Sequence, residues 1–265
     1  DAYGEATLIC APACIPVPKA VADRQRWGWM AQMYSVRSSE SWGVGDYGDL
    51  RHLLKDAAEK THADFMLINP IHACAPIPPL EPSPYLPESR RFLNVTYIRP
   101  QDIAEYADLS ESDKAEVARL HAQVSAANDD VNPMDINSAW CHKRQALKII
   151  FRQPRSVERQ SAFERFKEQA GPDLKAFAAW SVAFEVWGAP WETSWFNDTN
   201  RDSPEVAELI REHADLVEFQ CWLQRIADEQ VSAAQQIAKN SGMALGLMQD
   251  LSLIHILTLP TICSV

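Results

Sequence analysis

Three apolar runs of strand length, at residues 29–36, 65–71 and 243–248, alternate with segments whose apolar residues recur every three or four positions. The order strand, helix, strand, long insertion, helix, strand predicts an α/β fold. It corresponds to part of a (β/α)8 TIM barrel, the first three strands, opened by a large and mostly helical insertion. With 46% hydrophobic residues and nine tryptophans among 265, the chain has ample material for a packed core.

Residues 1–26 read as the end of an upstream β-domain and a linker. Ala6-Thr7-Leu8-Ile9-Cys10 has strand character and runs into the spaced Pro12, Pro16 and Pro18. Residues 27–99 form the first β-α-β part of the barrel plus a substrate loop. Leu50, Leu53, Leu54, Ala57 and Ala58 mark the buried face of its helix, and Asp46 or Asp49 stands where it caps that helix by accepting from free N–H groups.

Residues 100–214 are the helical insertion. In SAFERFKEQ and LKAFAAWSVAFEVW the aromatic residues fall at spacings of three and four, the mark of a helix core. The next segment, residues 188–206, is rich in breakers and carries Trp191 and Trp195, flat rings that either pack on sugars or pin a loop. Residues 215–251 supply a helix and the third barrel strand. Leu216, Phe219, Leu223, Ile226, Ala233 and Ile237 share one face, Gly242 ends the helix, and the strand delivers Asp250 at its C-terminal end.

The formal charge of −11 argues against the concentrated positive surface that nucleic acid or an anionic membrane requires. Cysteines at 10, 14, 74, 141, 221 and 263 form no C-x-x-C pair, and the histidines show no metal-ligand spacing. No metal is expected. With no signal peptide and no apolar run of about twenty residues, scattered reduced thiols point to a cytoplasmic protein. Gly43-Val44-Gly45-Asp46-Tyr47-Gly48 matches the dinucleotide pattern G-x-G-x-x-G. Residues 37–42 separate it from the strand it should follow, and Asp64 precedes the second strand where the acidic residue should come after it. A nucleotide cofactor is therefore not expected.

The chemistry concentrates in residues 69–96, NPIHACAPIPPLEPSPYLPESRRFLNVT, which follow the second strand. Seven prolines from Pro70 to Pro87 stiffen this loop around Ser83-Pro84-Tyr85. Asn69 and His72 lie beside it, as ligand contacts or as partners for backbone groups. Arg90 and Arg91 either clamp an acidic group or anchor the loop through carboxylates such as Asp46 or Glu88, and Asn94 holds a turn. Tyr34, Ser35 and Arg37, after the first strand, are further cleft candidates.

The segments QMYSVRSSESWGVGDYGDL, FMLINPIHA, SPYLPESRRFLNVTYI, DSPEVAELIREH and GLMQDL, in this order over residues 27–251, resemble the 4-alpha-glucanotransferases, or amylomaltases, of glycoside hydrolase family 77. The resemblance implies an enzyme that cuts an α-1,4-glucan and passes the segment to the 4-hydroxyl of another sugar, with a maltodextrin as partner and no cofactor. It also implies a retaining mechanism, with a nucleophile and an acid/base carboxylate about 5 Å apart. Tyr85 is implied to pack against sugar near the scissile bond and Asp250 to bind ring hydroxyls, with Ser83 and Pro84 shaping the loop.

After Asp250-Leu251 the likeness stops. LSLIHILTLPT resembles a translated transposon-end sequencing adaptor, so residues 252–265 are read as a non-native tail. The family's nucleophile and acid/base segments have no counterpart here, so the catalytic set is empty and the fragment is expected to be inactive. An α-glucan hydrolase of related barrel type, or a non-catalytic glucan-binding protein, are the alternatives.

Overall fold

The computed structural model describes residue 8 and residues 10–14, 16–17, 19–22 and 24–251. Most of the strand expected at residues 6–10, and the whole tail expected at 252–265, lie outside the described residues. In chain order the elements are α1 (Lys19–Ala22), β1 (Gly28–Ala31), α2 (Tyr47–Thr61), β2 (Phe65–Ile68), β3 (His72–Ala73), β4 (Ser89–Leu93), α3 (Glu111–Ser125), α4 (Ile136–Phe151), α5 (Val157–Ala170), α6 (Pro172–Trp187), α7 (Trp195–Asp198), α8 (Pro204–Glu212), α9 (Ala214–Asn240) and β5 (Gly246–Gln249). Short 3-10 turns join several of them.

Strands β1, β2 and β5 form one parallel sheet in that order. Ala31 lies opposite Ile68 and Ile68 opposite Gln249, so the three C-terminal ends stand abreast. Helices α2 and α9 return the chain between the strands and pack on each other. This is the α/β arrangement expected from the sequence: three adjacent parallel strands with crossover helices, and helices α3 to α8 between the second and third strand.

The strands are shorter than their apolar runs. Past Ala31 the Met33 N–H is taken by the Asn69 side chain at 2.7 Å, and Met33–Ser35 wind into a 3-10 turn. Past Ile68, Pro70 has no N–H to give to a ladder. The third strand starts at Gly246 rather than 243, because Gly242 and Met243 donate back to Lys239 and Ala238 at 3.1 and 3.0 Å. Those two bonds close α9 at Gly242, where its end was expected.

Of the two candidate caps of α2, Asp46 is the N-cap, accepting from Gly48 N and Asp49 N, while Asp49 accepts from Asp46 N at 3.1 Å in a reciprocal box. Both carboxylates also face Arg99, whose Nη2 lies 2.7 Å from each. All three are buried, with Arg99 3% exposed and Asp46 fully enclosed. Burial raises the Asp46 carboxyl against the pull of Lys143 and Arg99. Asp49 is held low in spite of burial by the Ser38 and Ser41 hydroxyls, each donating at 2.6 Å, and by Arg99. The arginine that meets Asp46 is thus Arg99, which was not among the anchors expected from the sequence.

The same cluster explains the G-x-G-x-x-G pattern. A Cβ on Gly48 would fall 2.4 Å from Arg99 Nε, and one on Gly45 would fall 2.1 Å from the Met33 carbonyl oxygen. These glycines make room for protein, not for a phosphate.

Helix α9 fastens the rest through three glutamines. Gln224 Oε1 accepts from Leu93 N and its Nε2 donates to Leu93 O, both at 2.9 Å, and Gln230 repeats the pair at Arg99. Gln235 Oε1 accepts from Leu247 N of β5 at 2.6 Å. Each gives a backbone segment the pairing that a neighbouring strand would supply.

Replacing Arg99 by Met is expected to cost about 3–5 kcal/mol of unfolding free energy, because it strands two buried carboxylates. Arg99→Lys is expected to fall between, since one ammonium spans two carboxylates less well than a guanidinium. Urea denaturation followed by tryptophan fluorescence checks both, and equal stability of Arg99→Met and the native chain would refute the role assigned to this cluster.

Candidate functional site

The aligned strand ends bring three residues to one edge of the sheet. Asn69 follows β2 directly, Asp250 follows β5 directly, and Tyr34 lies in the turn after β1. The Asp250 N–H donates to Ile68 O at 3.2 Å, which fixes its backbone beside β2. Asn69 is buried, accepting from Met33 N and donating to Pro70 O at 2.9 Å, and so builds the edge.

Above this edge β3 and β4 pair antiparallel and close the proline loop between them. Leu80 N donates to Asn137 Oδ1 at 2.8 Å and Trp140 Nε1 donates to Pro76 O at 2.9 Å, so α4 holds the loop from behind. Within it, Ser83 N donates to Glu81 Oε1 and Tyr85 N to Ser83 Oγ, at 3.0 and 3.3 Å. Ser83 and Pro84 thus shape the turn that carries the half-buried Tyr85.

A cavity of about 320 Å³ lies between loop and helix. Of the residues singled out in the sequence, Tyr34, His72, Ser83, Pro84 and Asn94 line it; Tyr85, Asp250, Asn69, Arg90 and Arg91 do not. Asn94 accepts from Thr96 N and Thr96 Oγ1 at 3.0 and 2.7 Å, the turn-holding role expected of it. Arg91 points away and pairs with Asp173 of α6 at 2.6 Å, whereas Asp46 and Glu88 were the partners suggested by sequence. Arg37 donates to Ala127 O and Asp130 O at 2.6 and 2.7 Å and holds the insertion in place of lining the cleft.

His72 is the polar group of this region with the most unusual setting. Its Nε2 is buried and has no hydrogen-bond partner among the described residues. Burial and the Arg90 guanidinium lower its pKa, against the upward pull of Asp250, so the ring is neutral at pH 7 and offers one donor and one acceptor. Glu88 is raised by burial and by the charge of Glu81. Cys74 is pushed up to about 12 by burial and stays a thiol. Among the described residues no three His, Cys, Asp or Glu side chains gather as metal ligands would.

The sequence profile of the 4-alpha-glucanotransferases, glycoside hydrolase family 77, matches residues 31–255. The chain belongs to this family. It is 40% identical over 258 residues to the 4-alpha-glucanotransferase of Mycobacterium tuberculosis, covering 95% of this chain and 35% of that protein. The amylomaltase of Corynebacterium glutamicum superposes with a TM-score of 0.73 at 38% identity, over 88% of this chain and 32% of that one. The amylomaltase of Streptococcus agalactiae, solved in complex with acarbose, gives 0.69 over 86% of this chain and 43% of that one. At 16% identity that likeness is one of fold. The three parallel strands are thus a sector of a (β/α)8 barrel, and the chain spans about a third of the length of the curated relative.

Lys143, Trp140, Thr96 and Tyr97 also line the cavity and were missed in the sequence. Lys143 Nζ donates to Thr96 O at 2.7 Å, and burial pushes its pKa down to about 8. A signal existed: Lys143 shares the helix face of Ala139, Trp140, Ala146, Leu147 and Ile150, all buried. A lysine on an apolar stripe marks a buried cation.

An NMR titration of the His72 ring is expected to show its midpoint below the ordinary histidine value of about 6.5. Asp250→Asn removes the charge that supports the imidazolium and should lower that midpoint further. An unchanged or higher midpoint would show that Asp250 and His72 do not share the site.

Proposed function

We propose that the strand-end cleft binds an α-1,4-glucan and that in the complete enzyme it takes part in the transfer of maltodextrin segments by a retaining double displacement. The observation that carries this reading is the placing of Asp250 at the end of the third parallel strand, within electrostatic reach of His72, which lines the same cavity as Ser83 and Pro84 of the stiffened loop. Barrel enzymes take their ligand contacts from this end of the strands. Membership of the 4-alpha-glucanotransferases and the acarbose complex of the S. agalactiae relative support a glucan as ligand.

Asp250 has the chemistry to accept short hydrogen bonds from two adjacent ring hydroxyls, and the Tyr85 phenol offers a face for the apolar side of a glucose unit. His72 and the cavity behind the loop supply further polar contacts. The two-carboxylate step needs a nucleophile and an acid/base group about 5 Å apart. Glu81, the carboxylate lining the cavity, accepts from Ser83 N and serves the loop turn. Asp46 and Asp49 are committed to Arg99. On this reading the 265-residue chain holds sugar and does not cut it. The described cysteines are all free thiols and no described helix is long and apolar enough to cross a membrane, which suits a cytoplasmic setting.

Incubated with maltotriose, the chain is expected to release no glucose and no longer oligosaccharides beyond a heat-killed control. Turnover above that control would show that a carboxylate pair has been overlooked. Joined to the C-terminal part of the C. glutamicum relative, the chain is expected to disproportionate maltotriose. In that chimera Asp250→Asn should reduce kcat/KM by roughly 2–4 kcal/mol in transition-state stabilisation without moving the melting temperature, while Tyr85→Ala should act mainly on KM. Full activity of Asp250→Asn would return this residue to a structural part.

A further inference from the structure

A second cavity, of about 720 Å³, lies in the helical insertion between α6 and α8, with α7 and the loop after it as its remaining wall. Its size falls within the usual range for ligand sites. The floor is made of small side chains, because α6 turns Ala176, Ala179 and Ala183 toward it at spacings of three and four, which leaves the groove its depth. Above that floor stand the rings of Trp180, Trp195 and Phe196.

These rings are held by the protein. Trp195 Nε1 donates to Gly188 O at 2.9 Å, and the indole meets Trp187 and Phe196 edge-on at 5.6 and 5.8 Å. Trp180 stacks on Phe177 at 5.8 Å, and Phe177 stacks on Phe92 of β4 at 4.1 Å. Phe196 nevertheless remains 55% exposed. Rings fixed in this way stay open as platforms at a cost in exposed apolar area.

The rim is polar and of mixed charge. Lys175 and Arg201 face it together with Asp202, so a strongly anionic or cationic ligand gains little there. Asn200 uses its Oδ1 for Asp202 N at 2.9 Å, and its amide donors have no partner among the described residues. Apolar platforms bordered by neutral and balanced polar groups suit a ligand with flat C–H faces and many hydroxyls. Asp173 links this rim to the cleft, pairing with Arg201 at 3.7 Å and with Arg91 of β4, the strand that closes the proline loop, at 2.6 Å.

We propose that this groove is a second glucan-binding site, which takes a maltodextrin segment separate from the one in the strand-end cleft. The proposal rests on the α-glucan reading of the cleft for its choice of sugar. Its use would be to hold a long glucan on the insertion while another segment occupies the cleft.

The test is isothermal titration of the 265-residue chain with maltoheptaose. A double substitution in the cleft, Tyr85→Ala with Asp250→Asn, is expected to leave one class of binding, accompanied by tryptophan quenching. In that background Phe196→Ala should weaken the remaining binding at least tenfold, and Ala179→Trp, which fills the floor, should abolish it. Phe196 is exposed, so its variant tests the groove even where Ala179→Trp unfolds. The proposal is overturned if the chain binds no maltoheptaose, if the cleft substitutions remove all binding, or if Phe196→Ala changes nothing. It is equally overturned if the groove variants shift only the sedimentation coefficient, which would make the surface a contact between copies. A chimera that disproportionates maltotriose with an inert groove would sink this inference alone; groove binding with an inactive chimera would sink the transfer reading and leave this one standing.

Discussion

The guanidinium of Arg99, enclosed between Asp46 and Asp49, is the interaction on which the rest of this structure leans. A cation and two carboxylates out of water are tolerable only when each finds its partners in good geometry. Here the partners come from separate parts of the chain. Asp46 and Asp49 open α2, Gly48 leaves space for the guanidinium, Gln230 of α9 pairs both backbone groups of Arg99, and Lys143 of α4 adds a buried positive charge near by. The cluster ties the first crossover helix, the segment after β4, the insertion and the last helix into one body.

That body gives the candidate site its rigidity. The strand ends are aligned by parallel pairing, and the segments that leave them are held by side chains instead of further strands. Asn69 fixes the turn after β1, Gln224 fixes β4 at Leu93, and Asn137 with Trp140 fixes the proline loop. A loop restrained at both ends and stiffened by prolines has little conformational entropy left to lose. The polar groups at its edge are thus already ordered.

The insertion serves two purposes in this arrangement. Helix α4 walls the cavity, with Lys143 and Trp140 behind the loop, while α6 to α8 build an aromatic groove of their own. The stack from Phe92 through Phe177 to Trp180 joins the two regions across β4. Trp195, whose ring was open to two readings in the sequence, pins the loop through its indole N–H at Gly188, and its ring lines the groove.

The sequence alone determined what depends on local periodicity and on chemistry between near neighbours. The three strands, the apolar face of α2, its cap at Asp46 or Asp49, the end of α9 at Gly242 and the place of Asp250 after the third strand all follow from patterns within a few residues. The rejection of a dinucleotide site came from the same source, since spacing relative to the strands already contradicted it. Only the tertiary structure decided which charges meet. Arg99 lies about fifty residues from its carboxylates, Arg91 some eighty from Asp173, and Gln224 and Gln230 are each 131 from the backbone they hold. Nothing in a window of twenty residues distinguishes Arg90, Arg91 and Arg99 as partners for Asp46. Their pairing is set by how helices and strands pack, because an ion pair forms where packing brings the groups together and burial then makes the pairing obligatory.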